Sequence, residues 1–438
     1  MNIVQIIPGS GGSFYCGNCL RDSKFVEALR NEGHDVVKVP MYLPLFSDEH
    51  DLGDTPVFYG AVSIYLKQLY PIFAKAPKWF DKLLNTKPML KLAASMAGST
   101  NAKGLEEMTV SMLLGEEGKQ KEELERMVDW ICENLQPDVI HISNALLLGL
   151  ARRIREKAGV PVICSLQDED VWVDAMKPGF QDQVWKLMQE KAKDVDAFIA
   201  VSHYFGEVMT HRLSLPPEKV FPVYLGVDPS EYEYIPPLDK ARNVGYISRL
   251  CHENGFDIVV DAFILLKQKP GFEDVKLVAT GGSTGVDVKY IKMLKRRIEQ
   301  AGISKDVVFH EEFEGAGRHA FLRKVVIGTV PVRNGEAFGM YLPELMASGI
   351  PIVQPALGAF PEIVQVSGGG KTYSPNDPAT LAETWAGLLS DREELQKLGQ
   401  QARRGVEQYF NIHDHANEMI GVYQKMIEKK TQYAAQTE

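Results

Sequence analysis

Two carboxylates eight residues apart bracket the run Glu336-Ala-Phe-Gly-Met-Tyr-Leu-Pro-Glu344, which continues as Leu345-Met-Ala-Ser-Gly-Ile-Pro-Ile-Val353. The pattern predicts a Phe-Gly turn, an apolar helix, a glycine stop and a strand rich in β-branched residues. The start of a helix presents free backbone N–H groups and a positive dipole end, which suits a phosphate. Gly339 lets a ligand approach the backbone closely, and the two carboxylates can accept hydrogen bonds from hydroxyl groups. Phosphate and hydroxyls together indicate a nucleotide sugar.

Length and composition predict a globular protein of two domains. The chain has 438 residues, so we expect two domains of roughly 200 residues each. Its net charge of −10 argues against a general nucleic-acid binder, which would carry a basic balance. No apolar run approaches the roughly 18 residues of a membrane span, and no signal peptide is evident before Pro8. Five thinly spread cysteines favour a reducing cytoplasm over a disulfide framework.

Apolar, β-rich runs alternate with helical stretches in two series. The first series of predicted strands covers residues 2–7, 35–39, 138–142, 161–166 and 196–201, and the second covers 243–247, 275–279, 306–310, 326–330 and 351–354. Near-continuous apolar strands separated by helices predict parallel sheets covered on both faces. The fold class is therefore α/β, with two doubly wound, Rossmann-like domains and a ligand cleft at the carboxyl ends of the strands.

Several segments in the right order resemble the retaining glycosyltransferases of family four, also described as group 1, which have the GT-B fold. The acids Glu336 and Glu344 match that family's E-x7-E element. Further matching segments are Asp138-Val-Ile-His141, Gly226-Val-Asp228, Gly245-Tyr-Ile-Ser-Arg249-Leu250, Pro361-Glu-Ile-Val364 and the glycine loop Pro8-Gly-Ser-Gly-Gly12. In this fold two Rossmann-like domains face a central cleft, and the C-terminal helix crosses back onto the first domain.

The resemblance implies a division of the chain. Residues 1–225 would form an N-terminal acceptor domain with an insertion at about 43–120, completed by the helix 413–438. Residues 226–412 would form the nucleotide-sugar-binding domain.

The resemblance also implies an enzyme that moves a hexose from a nucleotide diphosphate sugar to a glycan or lipid-linked acceptor, for example in cell-envelope polysaccharide synthesis. It implies no cofactor and no metal. The implied catalytic residues are Glu336, Arg249 and Gln167, and His141 would lie on the acceptor side. The implied donor-binding residues are Gly11, Gly12, Arg249, Asn254, Phe338, Gly339, Met340 and Glu344. Glu344 would contact the ribose, Glu336 the sugar hydroxyls, and Arg249 with the glycines the diphosphate.

Two positions depart from the family pattern. Asn254 stands where the family has a lysine that contacts phosphate, which removes one positive charge. Gln167 stands where many members have a histidine, and an amide can bind a sugar hydroxyl but cannot move a proton near neutral pH. The alternative function is therefore a nucleotide-sugar-binding GT-B protein without transferase activity.

Two short motifs favour other chemistry only weakly. Cys16-Gly-Asn-Cys19 has the spacing of a redox pair at a helix start, but two small apolar groups packed near the ligand explain it as well. Asp168-Glu-Asp170 spells the D-x-D metal signature of a different transferase fold, without that fold's context. We therefore expect no metal.

Residues 65–91 combine six lysines and one acid with many aromatic and aliphatic side chains. In a net acidic protein such a segment indicates contact with a membrane surface or an acceptor. Helices that pack on the first domain with their lysines in water would have the same composition. We expect a cytoplasmic protein. A peripheral contact of residues 65–91 with the inner face of the membrane is one of the two interpretations of this segment.

Overall fold

The computed structural model describes residues 1–8, 17–41 and 104–437. These residues form two compact units, each built on a six-stranded sheet in which all paired strands run parallel. The first unit comprises the described residues up to 223, apart from Gly17, and those from 413 onward, and the second comprises Gly17 and residues 224–412. The predicted α/β class with two parallel sheets is confirmed.

The first sheet has the strand order β2-β1-β3-β4-β5-β6. Its strands are β1 (Asn2–Ile7), β2 (Asp35–Pro40), β3 (Val139–Ile142), β4 (Val162–Leu166), β5 (Ala197–Ala200) and β6 (Val220–Pro222). The accompanying helices are α1 (Gly17–Asn31), α2 (Glu106–Leu114), α3 (Lys121–Asn134), α4 (Ala151–Ala158), α5 (Glu169–Asp174), α6 (Pro178–Lys191) and α7 (His203–Leu213).

The second sheet has the order β12-β11-β10-β7-β8-β9. Its strands are β7 (Val244–Ile247), β8 (Leu277–Thr280), β9 (Val307–Phe309), β10 (Ile327–Gly328), β11 (Ile352–Pro355) and β12 (Gly370–Tyr373). The helices are α8 (Phe256–Lys267), α9 (Val288–Gln300), α10 (Gly315–Leu322), α11 (Tyr341–Ala347), α12 (Phe360–Ser367), α13 (Pro378–Ser390) and α14 (Arg392–Tyr409), and the chain ends with α15 (Ile412–Thr437).

Local sequence explains where these elements begin and end. The central strands are buried along their whole length, as in β3 and β7, because helices cover a parallel sheet. Helix α13 begins at Pro378, and the Asp377 side chain accepts a hydrogen bond from Thr380 N–H, which satisfies a free donor of the first turn. Helix α4 ends at Gly159, whose φ of 66° closes the last turn.

The structure contains two strands that the sequence analysis did not predict. Both lie at sheet edges, where β6 has only three residues and ends at Pro222, and β12 has no continuous apolar run. A 3-10 helix, Ala145–Leu150, precedes α4. The last helix covers Ile412–Thr437, close to the predicted range of residues 413–438.

The final helix α15 belongs to the first unit from His413 onward, as the GT-B resemblance implied. Tyr423 on this helix is fully buried, and its hydroxyl lies 2.6 Å from Nδ1 of His141 on β3. Among the helices of the described residues, none has the length and apolar content to cross a bilayer.

Candidate functional site

Arg249 and Glu336, two of the predicted site residues, follow neighbouring strands of the second sheet. The chain runs outward from β7 through β8 to β9, then returns to the other side of β7 with β10, β11 and β12. The strand order therefore reverses between β7 and β10, and doubly wound sheets bind ligands beside the carboxyl ends of strands at such a point. Arg249 follows β7 and Glu336 follows β10. Both residues therefore follow the two strands between which the strand order reverses.

The backbone folds tightly around Glu336. Gly339 has a φ of 95°, and a Cβ atom there would lie 2.7 Å from Glu336 Oε2, so glycine allows the carboxylate to lie against the turn. On the other side, Ala359 N–H donates to the Glu336 carbonyl oxygen at 3.0 Å. A Cβ atom at Gly358 would come within 2.5 Å of the same oxygen. The two loops together hold a half-buried carboxylate at the carboxyl end of the sheet.

Glu344 lies in α11 and has no exposed surface. Its Oε1 accepts hydrogen bonds from Arg318 Nη1 at 2.8 Å and from the Tyr232 hydroxyl at 3.0 Å. Burial, and then the charge of Glu344, raises the pKa of Tyr232 well above its usual value. Glu344 thus stabilises the interior of the second unit, and its contact with a ribose stays a prediction that requires the carboxylate to become accessible.

Arg249 lies at the carboxyl end of β7 with its side chain 21% exposed. The guanidinium donates from Nε and Nη2 to the two carboxylate oxygens of Asp287, at 3.1 and 3.3 Å. The carboxylate of Glu253 lies 3.9 Å from Nη2. In the following loop the Asn254 amide donates to Ser248 Oγ at 2.8 Å. Both side chains therefore lie at the predicted edge, and Asn254 holds the loop that follows β7.

Phe338 and Met340 turn their side chains into the interior, where they are 1% and 3% exposed. The Phe338 ring packs against the rings of Tyr224 and Phe410 within the second unit. A contact of these two residues with the donor, as predicted, would therefore involve their backbone groups.

His141, which the resemblance placed on the acceptor side, lies in the interior of the first unit. The side chain is 1% exposed, and both ring nitrogens are engaged, with the Tyr423 hydroxyl at 2.6 Å and with Ser165 Oγ at 2.8 Å. Burial, and then the charge of Arg21, lowers the pKa of His141 to about 3. The neutral histidine ring joins β3 to α15 in the interior, and its place on the acceptor side stays a prediction.

Gln167 lies at the carboxyl end of β4 in the first unit and is 5% exposed. Its Nε2 donates to the Ser143 carbonyl oxygen at 2.7 Å. Its backbone N–H donates to Glu169 at 2.6 Å, and the same carboxylate accepts from Ala145 N–H at 2.8 Å. Within the part of the chain that the structure describes, Gln167 Oε1 is buried with no hydrogen-bond partner. Its contact with the donor sugar stays a prediction.

The carboxylates near Gln167 serve the backbone. Glu169 bridges the loops after β3 and β4, and burial raises its pKa to about 7 despite the backbone donors that lower it. Asp168 and Asp170, the acids of the D-x-D motif, flank it at the start of α5. Over residues 1–8, 17–41 and 104–437, no group of three His, Cys, Asp or Glu side chains could hold a metal ion.

Several predicted features lie outside the described residues. They are Gly11 and Gly12, Cys16, and the lysine-rich segment 65–91. Their assigned roles stay predictions.

Sequence analysis missed the partners that hold the predicted site residues. Asp287 carried a local signal, because Thr284-Gly-Val-Asp287 has the spacing of a capping box, and the structure contains that box. No local sequence signal marked Tyr232 or Arg318 as partners of Glu344, since they are 112 and 26 residues away from it.

Known families divide the chain close to the boundary between the two units. The model of the family described as "Glycosyl transferases group 1" matches residues 234–405, and that of "Glycosyltransferase Family 4" matches residues 118–231. Residues 234–405 thus match a group 1 glycosyltransferase domain, and residues 118–231 match a family 4 domain. The resemblance seen in the sequence is therefore confirmed.

Curated relatives match parts of this chain at low identity. The lipopolysaccharide core biosynthesis mannosyltransferase LpsB of Rhizobium meliloti is 27% identical over 222 residues, which is 46% of this chain and 60% of that protein. The MMP alpha-(1->4)-mannosyltransferase of Mycolicibacterium hassiacum is 26% identical over 304 residues, 66% of this chain and 71% of that protein. The chain thus spans less than two thirds of the first of these relatives.

Solved structures of similar fold cover nearly the whole chain. Alr3699/HepE of Anabaena in complex with UDP has a TM-score of 0.66 at 18% identity, over 97% of this chain and 100% of its own. The sucrose-phosphate synthase tll1590 of Thermosynechococcus elongatus has a TM-score of 0.69 at 16% identity, over 98% of this chain and 99% of its own. At these identities the likeness concerns the fold, and it confirms the predicted GT-B fold.

Proposed function

We propose that this protein is a glycosyltransferase that moves a hexose from a nucleoside diphosphate sugar to a glycan or lipid-linked acceptor, with retention of the anomeric configuration. The observation that carries the proposal is the Glu336 turn. A carboxylate is held by close backbone packing beside the point where the strand order of the second sheet reverses.

The donor half of the proposal rests on the second unit. Arg249 supplies a guanidinium suited to a diphosphate, and the turn at Gly339 lies at the same edge of the sheet. Alr3699/HepE of Anabaena was solved with UDP, which supports a nucleoside diphosphate as the leaving group here.

We assign Glu336 to the transferred sugar. As the bond between the anomeric carbon and the phosphate oxygen breaks, positive charge develops on the sugar, and a nearby carboxylate stabilises it. The acceptor oxygen then bonds to the anomeric carbon on the same face, its proton passes to the leaving phosphate, and nucleoside diphosphate is released. This route needs no histidine at position 167, where the chain has Gln167.

The acceptor class follows from the relatives. Two of them are named as mannosyltransferases, one of them of lipopolysaccharide core biosynthesis, which supports a cell-envelope glycan or a lipid-linked acceptor. We assign the acceptor to the first unit and place the protein in the cytoplasm. On this proposal the segment 65–91 provides a peripheral contact at the inner membrane face.

The alternative is a donor-binding protein without transferase activity, and one experiment separates the two. Purified protein is incubated with UDP-glucose and with GDP-mannose in the absence of acceptor, and free nucleoside diphosphate is measured. Slow release above the spontaneous rate supports the transferase, whereas binding with the donor left intact supports the alternative. A protein that neither binds nor cleaves either donor contradicts both functions.

A further inference from the structure

One carboxylate joins the loops that follow β7 and β8. Asp287 Oδ2 accepts a hydrogen bond from Arg249 Nε at 3.1 Å, and Oδ1 accepts one from Nη2 at 3.3 Å. The two residues are 38 positions apart, and adjacent parallel strands bring them together. One edge of the Arg249 guanidinium is thus committed to a protein carboxylate.

Asp287 is itself held firmly. Its Oδ2 accepts further hydrogen bonds from Thr284 N–H at 2.8 Å and from Thr284 Oγ1 at 2.7 Å, and the first of these belongs to the capping box of the turn Gly285–Asp287. The Asp287 residue is 5% exposed. Because the carboxylate makes four hydrogen bonds in a buried position, it cannot turn away without losing several of them at once.

We propose that Asp287 is a positioning residue for Arg249, fixing the Nε edge of the guanidinium so that Arg249 is preorganised to bind the diphosphate of the donor. The inference rests on the proposed function. An arginine has several rotatable bonds, and binding is weakened by the cost of ordering them, so a bidentate partner that orders the side chain beforehand increases affinity.

Charge alone predicts the opposite effect. Asp287 places a negative charge beside an anion site, and Glu253 adds another 3.9 Å from Arg249. Asn254 in the same loop carries no charge, so the site depends more strongly on Arg249. Removal of the Asp287 charge would therefore tighten nucleotide binding if charge decided the outcome, and weaken it if the orientation of Arg249 decided.

The test is a double-mutant cycle on the full chain. Calorimetry with UDP and with GDP is carried out on the wild-type protein and on the variants Asp287→Asn, Arg249→Ala and the double variant. We expect Asp287→Asn to weaken binding by about tenfold, the lower range for a hydrogen bond to a charged group. We expect no further loss from Asp287→Asn when Arg249→Ala is already present, since the aspartate acts through the arginine.

Two further variants guard against a general loss of structure. Asp287→Glu keeps the charge but moves the carboxylate by one methylene, so it should also weaken binding. Asp261→Asn removes the carboxylate from a similar Asp–Arg pair with Arg297, which joins α8 to α9, and it should leave binding unchanged.

The outcomes separate the inference from the proposed function. Equal or tighter binding by Asp287→Asn, with binding weakened by Arg249→Ala, overturns the positioning role and leaves the donor site in place. An equal loss from Asp287→Asn in both backgrounds assigns it to general structure and also overturns the inference. If Arg249→Ala binds as the wild type does, or the wild type binds neither nucleotide, the proposed donor site itself fails.

Discussion

Glu336 is the residue with the most specific chemical prediction. Glu336→Gln keeps the size of the side chain but removes the charge that we assign to the developing positive charge on the sugar. We expect kcat to fall by about 10- to 150-fold, while free nucleoside diphosphate binds almost normally, since the effect belongs to the transition state. Steady-state kinetics and calorimetry measure the two effects.

The control for Glu336 is Glu383→Gln, the same change at an exposed carboxylate on α13. It should leave both kcat and nucleotide binding unchanged. Loss of nucleotide binding in Glu336→Gln with kcat preserved would show that the carboxylate contacts the nucleotide instead of the sugar.

The ion pair between Arg318 and Glu344 should contribute to the stability of the second unit. Glu344 is fully buried, and the Arg318 side chain is 13% exposed, so Arg318→Ala leaves a buried carboxylate without its nearest cation. We expect the free energy of unfolding to fall by about 3–5 kcal/mol. Denaturant unfolding followed by fluorescence measures this.

Arg323 offers a matched comparison for Arg318. It pairs with Glu233 at the surface, where both side chains are more than half exposed. Arg323→Ala should cost no more than about 1 kcal/mol. If Arg318→Ala and Arg323→Ala lowered the free energy of unfolding equally, the stabilising role of the buried Arg318–Glu344 pair would be contradicted.

At the scale of the elements, Glu169 makes the junction of β4 and α5 sensitive to pH. Burial raises its pKa to about 7 from an ordinary 4.5, so the folded protein binds the proton more tightly than the unfolded chain. The stability from this group is fully present below pH 4.5 and is lost as the pH rises through 7. His141 acts in the opposite direction, since its pKa is lowered to about 3 and stability is lost as the pH falls from 6.5.

The variant Glu169→Gln isolates the first effect. Between pH 4.5 and 7 the wild-type protein should lose up to about 3 kcal/mol of unfolding free energy relative to the variant, which does not titrate there. Urea unfolding of both proteins at the two ends of this range measures the change. A difference between the proteins that is independent of pH would contradict the raised pKa.

The contact between His141 on β3 and Tyr423 on α15 should also contribute to stability. Tyr423→Phe removes the hydroxyl that meets Nδ1 of His141 and leaves a buried polar atom without its partner. We expect a loss of about 1–3 kcal/mol and faster hydrogen exchange in α15. Tyr433→Phe, the same change at a 71% exposed position of the same helix, should have no effect.

At the scale of the whole molecule, the lysine-rich segment decides whether the protein meets a membrane. The charge reversals Lys75→Glu, Lys78→Glu and Lys82→Glu should weaken pelleting with anionic vesicles, because each lysine near the surface contributes about 1 kcal/mol. Added salt should have the same effect.

A matched triple variant controls for net charge. Reversal of the exposed Lys289, Lys292 and Lys295 on α9 changes the total charge equally. It should leave pelleting unchanged. Equal recovery of the wild-type protein with neutral and anionic vesicles would leave packing on the first domain as the role of residues 65–91.

Sequence alone determined the architecture and the location of the candidate site. Alternating apolar runs and helical stretches predicted ten of the strands, because burial on both faces of a parallel sheet demands continuous apolar residues. The positions of Arg249, Glu336 and Gly339 followed as well, since the carboxyl ends of parallel strands meet at one edge. These properties depend on neighbours in the sequence or on the general geometry of the fold.

The tertiary structure alone decided which partner each polar group has. His141 and Tyr423 are 282 residues apart, and no local pattern shows that the ring would be buried between them. The same holds for Asp287 beside Arg249, and for Arg318 beside Glu344. A side chain's accessibility and pKa depend on atoms that folding brings close. The sequence could therefore name the candidate residues, while only the fold showed which of them are buried in the interior.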